Sequence, residues 1–315
     1  MPASTQSAER IHDMIIVGGG PAGYTAALYA ARAGLDALLL EQLAAGGQMG
    51  LTERIDNYPG FADGIDGFAL GEAMRKGAER FGAETRLASA LSLALSGPVK
   101  RVETGEGTLR ARTVVLATGA VPRELGLPGE QELLGRSVHY CAACDGMFYR
   151  GRTAVVVGGG NSAAEDALLL SRVCERVFLV HRRDALRAEQ VYRTPLLRAE
   201  NVEFCWNSVV EELLHDGAMR GVRLRDVRTG AERTVDCDGV FVSIGRKPAS
   251  QLVRGQAALD PAGYVVADES TRTDVPGLFA AGDVRTKALR QVATAVADGA
   301  AAAHSAQEYL AALGR

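Results

Sequence analysis

Met14-Ile-Ile-Val-Gly-Gly-Gly-Pro-Ala-Gly23 is the stretch that decides the fold. Its four leading apolar residues suit a buried parallel strand. They run straight into Gly18-x-Gly20-x-Ala22-Gly23, and Tyr24 to Ala33 then has helical composition, stopped by Gly34. Ala37-Leu-Leu-Leu40 is the next apolar strand, and it ends on Glu41. This is a complete β-α-β unit. Its glycines permit a tight turn and let backbone N–H groups approach a pyrophosphate at the positive end of the helix. Glu41 stands 23 positions after Gly18, where a carboxylate can accept hydrogen bonds from an adenosine ribose. A GxGxxG alone is a weak signal, but a whole unit with its ribose position filled is far less often a turn that binds nothing.

The unit recurs. Ala154-Val-Val-Val157 enters Gly158-x-Gly160-Asn161-Ser162-Ala163, a helix follows to about Arg172, and Val177-Phe-Leu-Val180 ends at His181. His181 again lies 23 positions after the first glycine, but the acid is missing. His181-Arg182-Arg183 takes its place, with Arg187 four residues on. Without a carboxylate a 2′-phosphate meets no repulsion, and guanidinium groups bind phosphate through paired hydrogen bonds. The first unit is expected to hold FAD or NAD, and the second NADPH. A solvated loop accounts more readily for Arg187 than for Arg182 and Arg183 at the strand's end.

Between the two units lies Cys141-Ala-Ala-Cys144-Asp145-Gly146. A CxxC is either half a zinc site or a redox pair. Zinc would need two more ligands, and the chain has no second CxxC and no paired histidines. Two nucleotide units flanking a dithiol point instead to electron transfer into a disulfide, with no metal. Of the other cysteines, Cys174 aligns with Gly34 at a helix-to-strand turn, while Cys205 and Cys237 fall in segments expected to be strands; all three are read as structural.

Composition limits the alternatives. A chain of 315 residues suits about two domains. The net charge of −3 gives no basic footprint for nucleic acid. Met1 to Asp13 is polar and lacks a signal-peptide core. No apolar run approaches the roughly 20 residues that span a bilayer; the Ala-rich run Ala293–Ala303, interrupted by Asp298 and Gly299, reads as a buried helix. A cytoplasmic enzyme with no membrane partner is expected.

Thr113-Val-Val-Leu-Ala-Thr118-Gly119 reads as a buried strand followed by a Pro- and Gly-rich linker, and Gly239-Val-Phe-Val-Ser-Ile-Gly245 is its counterpart in the second half. The chain is expected to leave the first domain near 120 and return near 247. The fold class is α/β: two Rossmann-like, three-layer β/β/α dinucleotide-binding domains. The NADPH domain (121–247) is inserted into the FAD domain (1–120 and 248–315). Thr273-Asp-Val-Pro-Gly-Leu-Phe-Ala-Ala-Gly-Asp283 reads as a strand ending in Gly-Asp. Asp283 there can accept hydrogen bonds from ribityl hydroxyls, which favours FAD, or cap a helix, or do both.

With these pieces placed, the chain resembles the low-molecular-weight (prokaryotic-type) thioredoxin reductases, from about residue 13 to the C-terminus. The most specific element is the Cys-Ala-x-Cys-Asp-Gly box inside the nicotinamide domain. Glutathione-reductase-like relatives place their cysteines near the N-terminal fingerprint, where this chain has none. The resemblance implies that Gly18, Gly20, Ala22 and Gly23 hold the FAD pyrophosphate and Glu41 its ribose. Gly47, Gln48, Asn57, Thr118, Gly119, Asp283, Arg290 and Gln291 would complete the flavin site. Gly158, Gly160, Asn161, Ser162, Ala163, His181, Arg182, Arg183 and Arg187 would hold NADPH.

The same resemblance implies the chemistry. NADPH reduces the flavin, and the flavin reduces a Cys141–Cys144 disulfide, with Cys144 on the flavin side and Asp145 as acid. Asp145 is alternatively an Asp-Gly turn residue. The dithiol then reduces oxidised thioredoxin or another partner of thioredoxin fold, such as a glutaredoxin-like protein or a peroxiredoxin. Relatives are homodimers. Nicotinamide and dithiol must use the flavin in turn, so hinges are expected near Thr118–Val121 and Gly245–Pro248. His139, before the first cysteine, is expected to pack rather than to act.

Overall fold

Strands come where apolar residues run together, and helices where small residues let backbones approach. The computed structural model describes residues 10–42, 44–52 and 54–314. The residues up to 9, on which the reading of the N-terminal leader partly rests, lie outside them. The first passage of chain forms β1 (Ile11–Val17), α1 (Pro21–Arg32), β2 (Ala37–Glu41), α2 (Gly67–Arg80), β3 (Glu84–Leu87), β4 (Ala90–Ala94), β5 (Lys100–Thr104), β6 (Gly107–Leu116) and β7 (Ala120–Pro122). The second forms β8 (Val138–His139), α3 (Ala142–Asp145), β9 (Thr153–Val157), α4 (Asn161–Ser171), β10 (Arg176–Val180), α5 (Gln190–Leu196), β11 (Val202–Cys205), β12 (Ser208–His215), β13 (Met219–Asp226), β14 (Glu232–Asp236) and β15 (Gly239–Val242). The return adds β16 (Arg246–Pro248), β17 (Leu278–Ala280) and α6 (Val292–Ala312).

These elements divide into two compact units, residues 1–121 with 247–315, and residues 122–246. In the first unit β3, β2, β1, β6 and β17 run parallel. The first half of β6 pairs antiparallel with β5, and β5 with β4. The burial of β6 follows its two roles: alternate residues are covered up to Ala111, and then Thr113 to Leu116 are covered on both faces. Met14, Ile16 and Leu39 face the helical layer of α1 and α6, while Ile15, Val17, Leu38 and Leu40 face the meander. The layers are helix, parallel sheet and antiparallel sheet.

The second unit repeats the plan. Its parallel sheet has the order β11-β10-β9-β15-β8, and β12-β13-β14 form the antiparallel meander. Val155, Val157 and Val240 face the meander; Ala154, Val156 and Phe241 face α4. The two chain crossings, β7 and β16, pair as a two-stranded ribbon.

Three expected strands are shorter than read. β6 stops at Leu116, β15 stops at Val242, and β17 is only Leu278–Ala280, because Pro276-Gly277 turns the chain just before it. Gly282–Val284 forms a single tight helical turn. Cys237 lies past the end of β14 rather than in a strand, though it is buried. Among the described residues no helix is long and apolar enough to cross a membrane.

Candidate functional site

In the first unit the chain leaves β1 at Gly18, whose φ of +108° is a conformation that side-chain-bearing residues rarely adopt. A Cβ on Gly23 would lie 1.8 Å from the Gly18 carbonyl oxygen, so the turn closes only with glycine there. Gly20 begins α1 without a side-chain cap, and a Cβ on it would meet nothing within 4 Å. The first-turn amides of α1 therefore open into space.

Around this turn the structure collects other expected residues. The Glu41 carboxylate lies against Gly19, and its Oε1 accepts the Gln42 amide at 2.7 Å. Gly46 donates to the Gly19 carbonyl at 2.8 Å, which brings Gly47 and Gln48 beside the same turn. Ala22 is buried against Gly282, the residue before Asp283. Asn57 donates to Gln291 Oε1 at 3.0 Å. The Arg290 guanidinium lies 4.1 Å from the Tyr264 ring centre, with its buried Nε lacking a hydrogen-bond partner among the described residues. Thr118 and Gly119 are placed differently: the Thr118 hydroxyl donates to the Ala249 carbonyl, and Ala249 donates to the Gly119 carbonyl. Both hold the returning chain.

In the second unit Gly160 likewise begins α4 with no side-chain cap, and buried Ala163 packs beneath Gly158. The loop after β10 folds back over this turn. Arg187 donates its amide to the Gly159 carbonyl at 2.7 Å, and Asn161 clamps Glu189 through both ends of its amide. Ser162 is exposed. The His181 ring lies flat against Gly159, buried, with Nε2 unpartnered among the described residues. Burial, and then the guanidiniums of Arg187, Arg183 and Arg182, push the pKa of His181 below its ordinary value. Those three arginines are exposed and form no ion pair among the described residues. An uncompensated cluster of this kind at an uncapped helix end suits a phosphate.

The cysteines sit on the same unit. Cys141 and Cys144 are joined as a disulfide, with Cα atoms 5.3 Å apart. Cys141 begins the short α3, and the Cys144 amide donates to its Sγ at 3.2 Å. Gly146 packs against Leu169 and Leu170 of α4, so the redox turn rests on the helix that the second fingerprint opens. Asp145 is half-buried beside it, with Oδ2 3.1 Å from His139 Nδ1. Cys174, Cys205 and Cys237 are free and buried. Burial raises the Cys174 thiol to about 11 and the Cys237 thiol to about 12.

Two carboxylates were not singled out by the sequence reading. Asp166, on α4, accepts a hydrogen bond from the Ser243 hydroxyl, just past β15, and a backbone hydrogen bond from Ala142 of the redox turn. Burial raises its pKa to about 6. Asp298, read only as an interruption, is buried in α6. It accepts from Gly282 N–H at 2.9 Å, Arg285 at 3.0 Å and Lys287 at 2.8 Å, and so fixes the turn that carries Asp283. The available signal was the charge itself, since an aspartate inside an alanine-rich buried helix requires partners.

With this geometry established, comparison with known proteins is specific. Residues 12–299 match the pyridine nucleotide-disulphide oxidoreductase family. The chain is 46% identical over 305 residues to a thioredoxin reductase of Listeria monocytogenes, covering 96% of this chain and 95% of that one. It is 46% identical over 306 residues to a thioredoxin reductase of Mycolicibacterium smegmatis, covering 97% and 98%. The crystal structure of thioredoxin reductase from Streptococcus pyogenes superposes with a TM-score of 0.89 at 42% identity, covering 96% of this chain and 99% of that one. The chain belongs to the pyridine nucleotide-disulphide oxidoreductase family. Within it, its place is with the low-molecular-weight thioredoxin reductases.

Proposed function

We propose that this chain is an NADPH-dependent thioredoxin-disulfide reductase in which electrons pass through FAD to Cys141–Cys144 and then to oxidised thioredoxin. One observation carries this reading: the disulfide rests on α4, the helix whose N-terminus, ringed by Arg182, Arg183 and Arg187, suits the phosphates of NADPH. A second nucleotide turn stands in the other unit.

The residues present fit both cofactors. The open space beyond Gly20, the uncapped α1 amides and the orphaned Arg290 Nε suit FAD. Gly18, Gly20 and Gly23 would take its pyrophosphate and Glu41 its ribose. Ala22 seats the turn that carries Asp283, and Gly47, Gln48, Asn57, Arg290 and Gln291 border the flavin. Thr118 and Gly119 act by holding the returning chain. On the other unit Gly158, Gly160 and Ser162 would take the NADPH pyrophosphate, seated by Ala163, with Asn161 holding the covering loop. His181, Arg182, Arg183 and Arg187 would take its 2′-phosphate. The unpartnered His181 Nε2 fits that role.

When bound, FAD supplies two-electron transfer between nicotinamide and disulfide. The protein's part is to position and to move protons. Cys144 receives the electrons, Cys141 departs as the thiolate, and Asp145 protonates it. The Cys144 amide at Cys141 Sγ steadies charge on that sulfur. Cys141 then attacks the partner's disulfide, at a rate set by its thiolate fraction and access. Thioredoxin as substrate, a homodimeric assembly and a cytoplasmic setting complete the proposal. The test is NADPH-dependent reduction of thioredoxin by wild type, Cys144→Ser and Cys141→Ser. Wild type should turn over and both variants should not; turnover surviving in Cys144→Ser would remove the dithiol from the route.

A further inference from the structure

A buried imidazole needs partners for both nitrogens. His139, at the end of β8, is 3% exposed. Its ring stacks on Phe241 of β15, with centres 5.1 Å apart and planes 25° apart, and meets Tyr149 edge-on. It therefore packs, as the sequence suggested. It also has polar neighbours: Nε2 lies 2.7 Å from the Tyr149 hydroxyl, while Nδ1, which makes no hydrogen bond among the described residues, lies 3.1 Å from Asp145 Oδ2 in an ion-pair contact.

The proton count at this cluster is informative. The Tyr149 hydroxyl also reaches the Arg136 carbonyl at 3.2 Å, and that carbonyl has no other donor among the described residues. A hydroxyl has one proton to give. When Tyr149 donates to Arg136, its oxygen accepts Nε2–H from His139. Nδ1 and Asp145 Oδ2 then approach as an unprotonated nitrogen and a carboxylate oxygen unless the pair holds a further proton. The contact is repulsive without that proton and an ion pair with it.

We infer that His139 is a positioning residue for opening the Cys141–Cys144 bond: it holds the Asp145 carboxyl beside the redox pair and keeps, in the Nδ1–Oδ2 contact, the proton that the departing thiolate takes. This rests on the proposed role of Asp145. Converting the disulfide to two thiols takes two electrons and two protons. A hydride equivalent drawn from NADPH brings both electrons and one proton. The other passes from Asp145 to the sulfur that leaves with the bond's electron pair, and solvent then recharges the His139–Asp145 pair. The titratable groups against the imidazole are Asp145 and Tyr149, and Phe241 stacks on its face. Arg152, Cys237 and Asp238 act on Tyr149.

The test labels the histidine rings with ¹⁵N and switches the protein between disulfide and dithiol with dithiothreitol instead of NADPH. His139→Asn identifies the signal among the five histidines. In wild type the His139 Nδ1 resonance should shift when the disulfide opens at constant pH. The pH profile of iodoacetamide alkylation of the reduced protein should show a second step that His139→Asn removes. Single-turnover opening should slow by about tenfold in that variant, short of the roughly hundredfold lower end of general acid–base assistance because Asp145 remains. Tyr149→Phe, which deletes only the hydroxyl, should shift the ring signal without removing the step. A ring signal unmoved between the two redox forms would overturn the inference in wild type alone, whatever the stability of the variants. So would superimposable alkylation profiles of wild type and His139→Asn. Should dithiothreitol evoke the shift while NADPH cannot reduce the pair, the inference stands and the proposed electron route fails.

Discussion

His181 and the three other buried cysteines show how single side chains divide the labour. With its pKa lowered by burial and by Arg187, Arg183 and Arg182, His181 is neutral at pH 7. As pH falls below about 6.5 the unfolded chain takes up this proton before the folded one does. The residue therefore costs stability in acid and nothing at pH 8. A 2′-phosphate among the same arginines would offset their field, so 2′,5′-ADP should raise the His181 pKa, as followed by ring NMR. Arg182→Ala or Arg183→Ala should raise the KM for NADPH by about tenfold to a hundredfold, the worth of one charged hydrogen bond, and leave that for NADH nearly unchanged. A uniform loss with both nucleotides would place the arginines elsewhere. Burial also raises all three free thiols, Cys205 included. Native oxidised protein should therefore resist iodoacetamide at pH 8, and gain about two reactive thiols on reduction. His181 and the arginines were singled out by their offset after the second fingerprint and Cys174 by its alignment with Gly34, whereas Cys205 and Cys237 were read only from the segments around them. The partners of His139 were not legible, because Tyr149, ten positions away, meets it only after β8 and the redox turn have folded together.

At the scale of elements, the strands and helices of both nucleotide units were legible because fully covered strands are unbroken apolar runs and the glycine turns mark where helices begin. The strand ends were not. β15 stops at Val242, and the next residue, Ser243, donates its hydroxyl to Asp166 on α4, a contact between residues 77 apart in sequence. That contact has a measurable consequence. With a folded pKa of about 6, Asp166 stays protonated in the folded chain where the unfolded chain has already ionised. Its effect is to lower stability progressively as pH rises from about 4 through 6. Asp166→Asn should abolish that slope and raise stability above pH 6 by about 1–3 kcal/mol, as read from denaturant melts at several pH values. Parallel pH dependences for the two proteins would refute it. The packing of α6 on α1 makes a second case. Alanine is the better helix former, yet a Cβ on Gly299 would lie 2.2 Å from the Ala22 carbonyl oxygen. Gly299→Ala should therefore destabilise by about 1–3 kcal/mol, and a raised melting temperature would show that the two helices can part without cost.

For the whole molecule, the sequence showed a repeated nucleotide unit and a chain that leaves one unit and returns to it, because each strand-turn-helix signature is local. It did not show that β7 and β16 pair at the two crossings, or that Thr118 and Gly119 clasp Ala249 just before them. We propose that a hinge for alternating use of the flavin lies at this ribbon. A rigid covalent link between the two units should then permit one half-reaction and stop steady-state turnover. Undiminished turnover in the linked protein would remove the hinge from the mechanism. The central claim is that two redox centres, a bound flavin and the Cys141–Cys144 pair, fill in series from NADPH. Anaerobic titration of the purified holoprotein, followed by flavin absorbance and thiol content, measures it most directly. Wild type should take up about two equivalents of NADPH, four electrons in all, and Cys144→Ser about one. Equal uptake by the two proteins, or material with no flavin to bleach, would contradict the account.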